Sequence, residues 1–298
     1  MRFGLDLGGT KIEAVVLDAK GAIVWRQRLP TPQDDYAAIC ANIAALVAQA
    51  EADTHTALSI GIGMPGSLSP KTGLVRNSNT QCLNGRAIKQ DLETLLAREI
   101  RLANDANCFA LSEATDGAGQ GAASVFGVIL GTGCGGGLVV NGRLQNGANG
   151  IGGEWGHNPL PAPRAEERPG PDCYCGRQGC NEVWISGSGF ARDHAEMTGE
   201  NLTAAEMMQA DTPQVRASFE RFCDRLARAL GAVINLVDPH VIVLGGGLSN
   251  IDALYTRIPE IWDAYIFSDA IETRFLKNRH GDSSGVRGAA WLWPQHTP

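Results

Sequence analysis

Apolar, β-branched runs at 2–7 and 12–17 flank the polar, glycine-bearing stretch Gly8-Gly9-Thr10-Lys11, a pattern that predicts strand, tight turn, strand. A third strand at 22–28 follows the turn at Lys20-Gly21. Behind Asp34-Asp35, the spacing of Ile39, Ile43, Leu46 and Val47 predicts an amphipathic helix to residue 50 that packs on this sheet. A strand at 58–64 ends in Pro65-Gly66-Ser67, a turn able to present backbone to a ligand at the sheet's carboxyl edge. Leu92, Leu95 and Leu96 mark one side of a helix at 88–99, and the strand at 100–103 runs into Asn104-Asp105-Ala106-Asn107 and a helix carrying Phe109, Ala110 and Leu111. Asp116 to Gly121 reads as a hinge between domains.

The second half alternates in the same way. The stretch at 131–137 is too glycine-dense for a strand interior and reads as backbone kept bare for a ligand, and Asn141-Gly142 closes a hairpin. Helices are expected at 186–197 and 203–209, and a long one opens at Pro213, with an apolar face that includes Phe222, Leu226, Leu230 and Ile234, and stops at Asp238-Pro239. A buried strand at 241–244 runs into Gly245-Gly246-Gly247 and a helix from about Ser249, a spot suited to a nucleotide. The final helix, through 289–293, needs an apolar partner and is expected to return to the first domain.

An internal repeat sharpens the first glycine turn. Phe126 to Gly133 aligns without a gap beneath Phe3 to Thr10, and Leu138-Val139-Val140-Asn141 then falls beneath Val15-Val16-Leu17-Asp18. Glycines in such turns let backbone N–H groups approach a phosphate, and two copies facing one another could clasp a polyphosphate between domains. Asp6 in the first copy can hold magnesium or its water shell, whereas Ile129 stands at the matching place in the second.

Composition narrows the class. A chain of 298 residues with 44% hydrophobic content can bury two domain cores, and a net charge of -7 argues against nucleic-acid or anionic-membrane partners. An acid at residue 6 sits where a signal peptide needs its apolar region, and no apolar run reaches membrane-spanning length, so a cytoplasmic protein is expected. Of eight cysteines, five are isolated among apolar neighbours. The other three, Cys173, Cys175 and Cys180, share a loop with His157 and supply the ligands of a closed, tetrahedral, structural zinc site. Glu154 and Glu182 flank these ligands and would be fixed with them. Asp105 reads either as an N-cap or as a general base at a strand end facing the cleft, with Asn104 hydrogen-bonding the substrate; the two phosphate turns favour the base. Asn79 lies in a polar loop where asparagines are common turn residues.

Together Asp-Leu-Gly-Gly-Thr-Lys at 6–11, Asn-Asp-Ala-Asn at 104–107, Gly-Thr-Gly at 131–133, Glu-Trp-Gly-His at 154–157, Cys-Tyr-Cys-Gly-Arg-Gln-Gly-Cys-Asn-Glu at 173–182 and Gly-Gly-Gly at 245–247 resemble the ROK family of sugar kinases and repressors over nearly the whole chain. Arg-Leu-Pro-Thr-Pro at 28–32, the stretch at 153–161 and that at 280–293 resemble its bacterial fructokinase or mannokinase branch. The resemblance implies an actin-like, ribonuclease H-like ATPase fold of two α/β domains around a cleft, placed here at 1–117 with 285–298, and at 118–284 with the zinc loop. It implies Mg-ATP on Asp6, Gly8, Gly9, Thr10, Lys11, Gly131, Thr132 and Gly133, adenosine near Gly245, Gly246 and Gly247, and Asp105 as the base for a hexose 6-hydroxyl. Gly66, Asn79, Asn104, Glu154, His157 and Glu182 would surround the sugar, His157 using one ring nitrogen for zinc and the other for the sugar. Fructose is the favoured substrate, an N-acetylhexosamine kinase or a sugar-sensing regulator the alternatives, and a homodimer the expected assembly. The family's repressors carry a helix-turn-helix segment before the first glycine turn, where this chain has five residues before Asp6.

Overall fold

The computed structural model describes residues 1–294; the last four residues of the 285–298 segment lie outside the described residues. Strands β1 (Arg2–Leu7), β2 (Lys11–Leu17), β3 (Ile23–Pro30), β4 (Ser59–Met64) and a strand at Ile100–Asn104 form one five-stranded sheet. Between β4 and that strand run the short hairpin β5 (Ser67–Leu68) and β6 (Val75–Arg76), so the strand at Ile100–Asn104 is β7. A second sheet holds β8 (Ser124–Leu130), β9 (Cys134–Val140), β10 (Arg143–Leu144), β11 (Val241–Gly245) and β12 (Arg274–Lys277).

The sheet orders are β3-β2-β1-β4-β7 and β10-β9-β8-β11-β12, so the repeat legible over two strands extends to five. In each copy two antiparallel neighbours precede two parallel ones. The helices repeat as well: α1 (Tyr36–Thr54), α2 (Ile88–Leu96) and α3 (Asp105–Thr115) stand in the first half where α7 (Pro213–Val237), α8 (Leu254–Ile261) and α9 (Ser284–Trp291) stand in the second. The stretch that follows the cysteine loop adds α4 (Asn181–Ile185), α5 (Gly187–Thr198) and α6 (Ala204–Ala210).

Helix α1 buries Ile39, Ile43, Leu46 and Val47 against the first sheet, as its spacing requires, and Phe222, Leu226 and Leu230 of α7 are buried in the second core. On the opposite faces, α3 lies against β8 and β9, while α9 lies against β1 and β4. The two helices also pack on each other, forming a seam between the sheets. Glycines permit that closeness: a Cβ on Gly288 would stand 1.6 Å from the carbonyl oxygen of Cys108, and one on Gly61 would stand 1.8 Å from that of Ala289. The final helix thus returns to the first sheet, as its unpartnered apolar side demanded.

Three expectations need correction. Gly135, Gly136 and Gly137 lie inside β9. Their missing side chains make room for protein: a Cβ would meet Ala106 at Gly135, Trp155 at Gly136 and the α3 backbone at Gly137. No regular helix starts at Ser249; Gly247–Asn250 forms a single 3₁₀ turn and α8 begins at Leu254. Helix α2 stops at Leu96 because Ala97 turns left-handed, with φ 52°.

Candidate active site

Asp105 is the first residue of α3, at the carboxyl end of β7. The N-cap is Asn104 and not Asp105: extended at φ -63°, ψ 151°, it accepts through Oδ1 from the N–H groups of Ala106 (2.9 Å) and Asn107 (3.4 Å). Its Nδ2 donates to the Gly66 carbonyl at 3.1 Å. With capping done by its neighbour, Asp105 accepts from the Ala106 N–H at 2.8 Å. Burial raises the Asp105 carboxyl above its ordinary range, and the hydrogen bonds from Ala106 and Asn104 only partly offset this.

Asp105 belongs to a chain of neighbouring carboxylates. Asp6 is pushed up to about 7, by burial first and then by the charges of Asp105 and Glu13, with Lys11 opposing. Glu154 is raised by burial first; Asp105 and Glu182 add to the rise, and His157 and Arg76 oppose it. Asp6, Asp105, Glu154 and Glu182 therefore meet from four segments distant in sequence. Carboxylates whose charges act on one another in this way make an oxygen donor set that a hard divalent cation would relieve, so Asp6 fits a magnesium ligand or a partner of its water shell.

The two glycine turns are oriented by hydrogen bonds behind them. In the first, the Gly8 carbonyl accepts from Thr31 Oγ1 (2.7 Å), that of Gly9 from Gln33 Nε2 (3.0 Å) and that of Thr10 from the Thr31 N–H (3.0 Å). In the second, the Gly131 carbonyl accepts from the Gly187 N–H (2.7 Å) and that of Thr132 from Ser188 Oγ (2.7 Å). A trans peptide points its N–H opposite its C=O, so these ties aim the N–H groups of Gly9, Thr10, Thr132 and Gly133 away from the scaffold. Glu182 closes the second turn by accepting from the Cys134 N–H at 2.9 Å. Next to this turn opens a cavity of about 870 Å³, lined by Gly131, Thr132, the start of α5, helix α6 and the Gly247–Asn250 turn. Its volume suits a nucleoside. Gly247 thus joins the second glycine turn, although no helix N-terminus follows it.

The four presumptive zinc ligands converge. His157, Cys173, Cys175 and Cys180 hold one ligand atom each within 4.8 Å of all the others, with Cys173 Sγ 3.6 Å from His157 Nδ1 and Cys175 Sγ 3.6 Å from Cys180 Sγ. Ligands at zinc–nitrogen and zinc–sulfur bond lengths around a tetrahedron stand about 3.5–3.8 Å apart, so this donor set fits zinc. A hydrogen bond from Arg177 is the main cause of the fall of the Cys175 thiol to about 6, which favours the thiolate a metal requires. The other ring nitrogen of His157, Nε2, meets the hydroxyl of Tyr174 at 2.9 Å.

The cysteine loop has a second anchor. Glu167 accepts from Arg225 Nε (2.8 Å) and from both Arg228 Nη1 (2.8 Å) and Nη2 (2.7 Å), and Arg225 also binds Asp193 of α5 at 2.7 Å. Arg76 crosses between the halves, donating to the Asn149 carbonyl at 2.6 Å. Asn79 is exposed beside Ser78, whose backbone lies against Gly66, on the rim that Asn104 reaches. Thr31, Gln33, Ser188, Arg76 and Tyr174 escaped the sequence reading. Only Tyr174 had a signal, its place between two metal ligands.

The model of the ROK family matches residues 2–296. The chain is 42% identical over 299 residues to the N-acetyl-D-glucosamine kinase of Pectobacterium atrosepticum, covering 98% of each chain, and 42% identical over 301 residues to that of Yersinia pseudotuberculosis, again covering 98% of each. Among solved structures, a ROK hexokinase from Thermus thermophilus superposes with a TM-score of 0.86 at 31% identity, over 97% of this chain and 96% of the other. A ROK glucokinase from Streptomyces griseus, solved with glucose and AMPPNP, superposes with a TM-score of 0.78 at 28% identity over 99% of each.

Proposed function

The chain belongs to the ROK family and has its actin-like ATPase fold, and on that basis we propose that it is an ATP-dependent kinase of N-acetyl-D-glucosamine or a close N-acetylhexosamine. The observation that carries the kinase reading is the meeting of Asp105 with Asp6 and Glu154 beside two inward-aimed glycine turns. The choice of sugar rests on the relatives that are 42% identical along almost the whole chain. For that reason the fructokinase expectation gives way to the N-acetylhexosamine alternative.

In this reading the N–H groups of Gly9, Thr10, Thr132 and Gly133 hold the phosphates, Lys11 lies by the first turn, and the cavity beside Gly247 takes the adenosine. Magnesium supplies neutralisation of phosphate charge when bound, with Asp6 as its protein anchor. Zinc, held by His157, Cys173, Cys175 and Cys180, would supply rigidity to the loop that carries His157 and would perform no chemistry on the substrate. Glu154, Glu182, His157, Asn104 and Asn79 orient the sugar, while Asp105 accepts the proton of its 6-hydroxyl as that oxygen attacks the terminal phosphate. A raised carboxyl pKa makes Asp105 a stronger proton acceptor than a solvated aspartate. Positioning and charge neutralisation provide most of the rate in phosphoryl transfer, which suits a site built of fixed backbone and paired acceptors. The parts that close are taken as 1–117 with 285–298 and 118–284, and the assembly as a homodimer.

The test is ADP release from Mg-ATP with N-acetylglucosamine, N-acetylmannosamine, glucose, mannose and fructose, for the wild type and Asp105→Asn. We expect N-acetylglucosamine to give the highest kcat/KM. The variant should lose roughly three or more powers of ten in kcat while still binding the sugar. Fructose as the best substrate would overturn the choice of sugar. Binding without turnover of any hexose by the wild type would replace the kinase by a sugar sensor.

A further inference from the structure

Tyr174 is 79% exposed, yet its hydroxyl reaches back to His157 Nε2 at 2.9 Å, with the two rings edge-on at 85° and centroids 5.0 Å apart. An exposed aromatic ring gains little from packing in such a pose, so this hydrogen bond is its principal tether. His157 Nδ1 faces the cysteine sulfurs. A metal on Nδ1 leaves the neutral ring's proton on Nε2, and the phenol oxygen is then the acceptor. The phenol's own proton is free to turn elsewhere.

A sugar hydroxyl bound here would accept from the same imidazole N–H. We propose that Tyr174 is an internal stand-in for a hexose hydroxyl: in the sugar-free protein it occupies His157 Nε2, and it swings into solvent when the sugar takes its place. This inference rests on the reading of the cleft as a sugar site and adds a residue that sets its affinity. The exchange keeps the His157 N–H partnered in both states, and one net hydrogen bond is worth about 0.5–1.5 kcal/mol. It also sets a threshold, because a ligand without a hydroxyl at that position cannot replace the bond it displaces.

The discriminating variant is Tyr174→Phe, which keeps the ring and removes the competitor. Tyr174 is exposed, so the fold should tolerate the change. Calorimetry with N-acetylglucosamine on the zinc-loaded protein should show binding about three- to tenfold tighter than wild type, the size of one net hydrogen bond. In turnover, KM should fall while kcat holds. A second readout needs neither sugar nor turnover: the His157 Nε2 proton, followed by NMR on ¹⁵N-histidine-labelled protein, should exchange with water faster in the variant. Tyr174→Ala should also tighten binding. If Tyr174→Phe weakens sugar binding, the tyrosine is a sugar contact and the exchange is wrong; unchanged affinity with unchanged proton exchange is equally fatal to it. Failure of the wild type to bind any hexose would instead remove the sugar-site reading and the exchange with it.

Discussion

At the scale of single residues, the cleft is organised by carboxylates that are costly to the empty protein. Asp6 is pushed up to about 7 because burial and the charges of Asp105 and Glu13 all disfavour its ionised form. Glu13, itself 2% exposed, has Arg26 and Arg28 as partners, whereas the opposing charge on Asp6 is that of Lys11. A carboxyl whose folded value exceeds its unfolded one subtracts stability as pH rises through that interval. Asp6→Asn should therefore raise Tm at pH 8 in the absence of magnesium and nucleotide, by a few degrees, while turnover falls by roughly two or more powers of ten. Differential scanning calorimetry and the ADP assay on the same preparation check both. A lower Tm would mean that Asp6 serves the fold and not the metal. Stability given up at a functional residue in this way is a recognised trade.

At the scale of elements, the cysteine loop has two anchoring sites of different chemistry, the His157–Cys173–Cys175–Cys180 cluster that could hold a metal and the Glu167 cluster that joins the loop to α5 and α7. Burial alone would raise Glu167, but the hydrogen bonds from Arg228 and Arg225 dominate and bring it down to about 2. The sign follows from that depression: the stabilisation is complete above the ordinary glutamate value and is lost as pH falls toward 2. Glu167→Gln strips one partner from buried guanidiniums, so it should cost about 3–5 kcal/mol at pH 7. The deficit relative to wild type should shrink below pH 4. Urea unfolding at the two pH values measures it, and a deficit independent of pH would show that shape and not charge is what the site requires. The sequence exposed one anchor of this loop and hid the other. Clustered cysteines announce a metal, but Glu167, Asp193, Arg225 and Arg228 are ordinary charged residues until the fold brings them together. The same contrast runs through the secondary structure. Periodicity marks α1 and α7 because one face of each is buried. The β9 glycines misled because local pattern cannot tell a strand stripped for a neighbouring helix from a loop stripped for a ligand. Asp105 was legible as an oddity at a strand end, whereas the choice of Asn104 as the cap depended on a backbone angle.

At the scale of the whole molecule, two sheets of the same strand order share a seam of α3 on α9, and the carboxylates of the candidate site come from both halves. The duplication explains why the residues of the site are scattered along the sequence: Asp6 and Asp105 come from the first half, Glu154 and Glu182 from the second. Such a site is complete only when the halves are close. Beyond the seam, Arg76 on the β5–β6 hairpin makes a crossing contact with the Asn149 carbonyl, braced by Ser67 Oγ at 3.3 Å and near enough to Glu154 to lower its pKa. A charged donor on a carbonyl is worth about 1.5–3 kcal/mol where water is excluded, and less at a partly exposed position such as this. If Arg76 holds the closed arrangement, Arg76→Ala should leave the separate cores intact and weaken the closed form. KM for the sugar should then rise roughly five- to twentyfold with a smaller change in kcat, because closure is bought with sugar-binding energy. Small-angle scattering should show wild type more compact with sugar and ATP analogue bound than without, and the variant should need more sugar to reach the same compaction. Equal KM in the two proteins would leave the α3–α9 seam as the element that sets closure, and would make Arg76 a passive neighbour of Glu154.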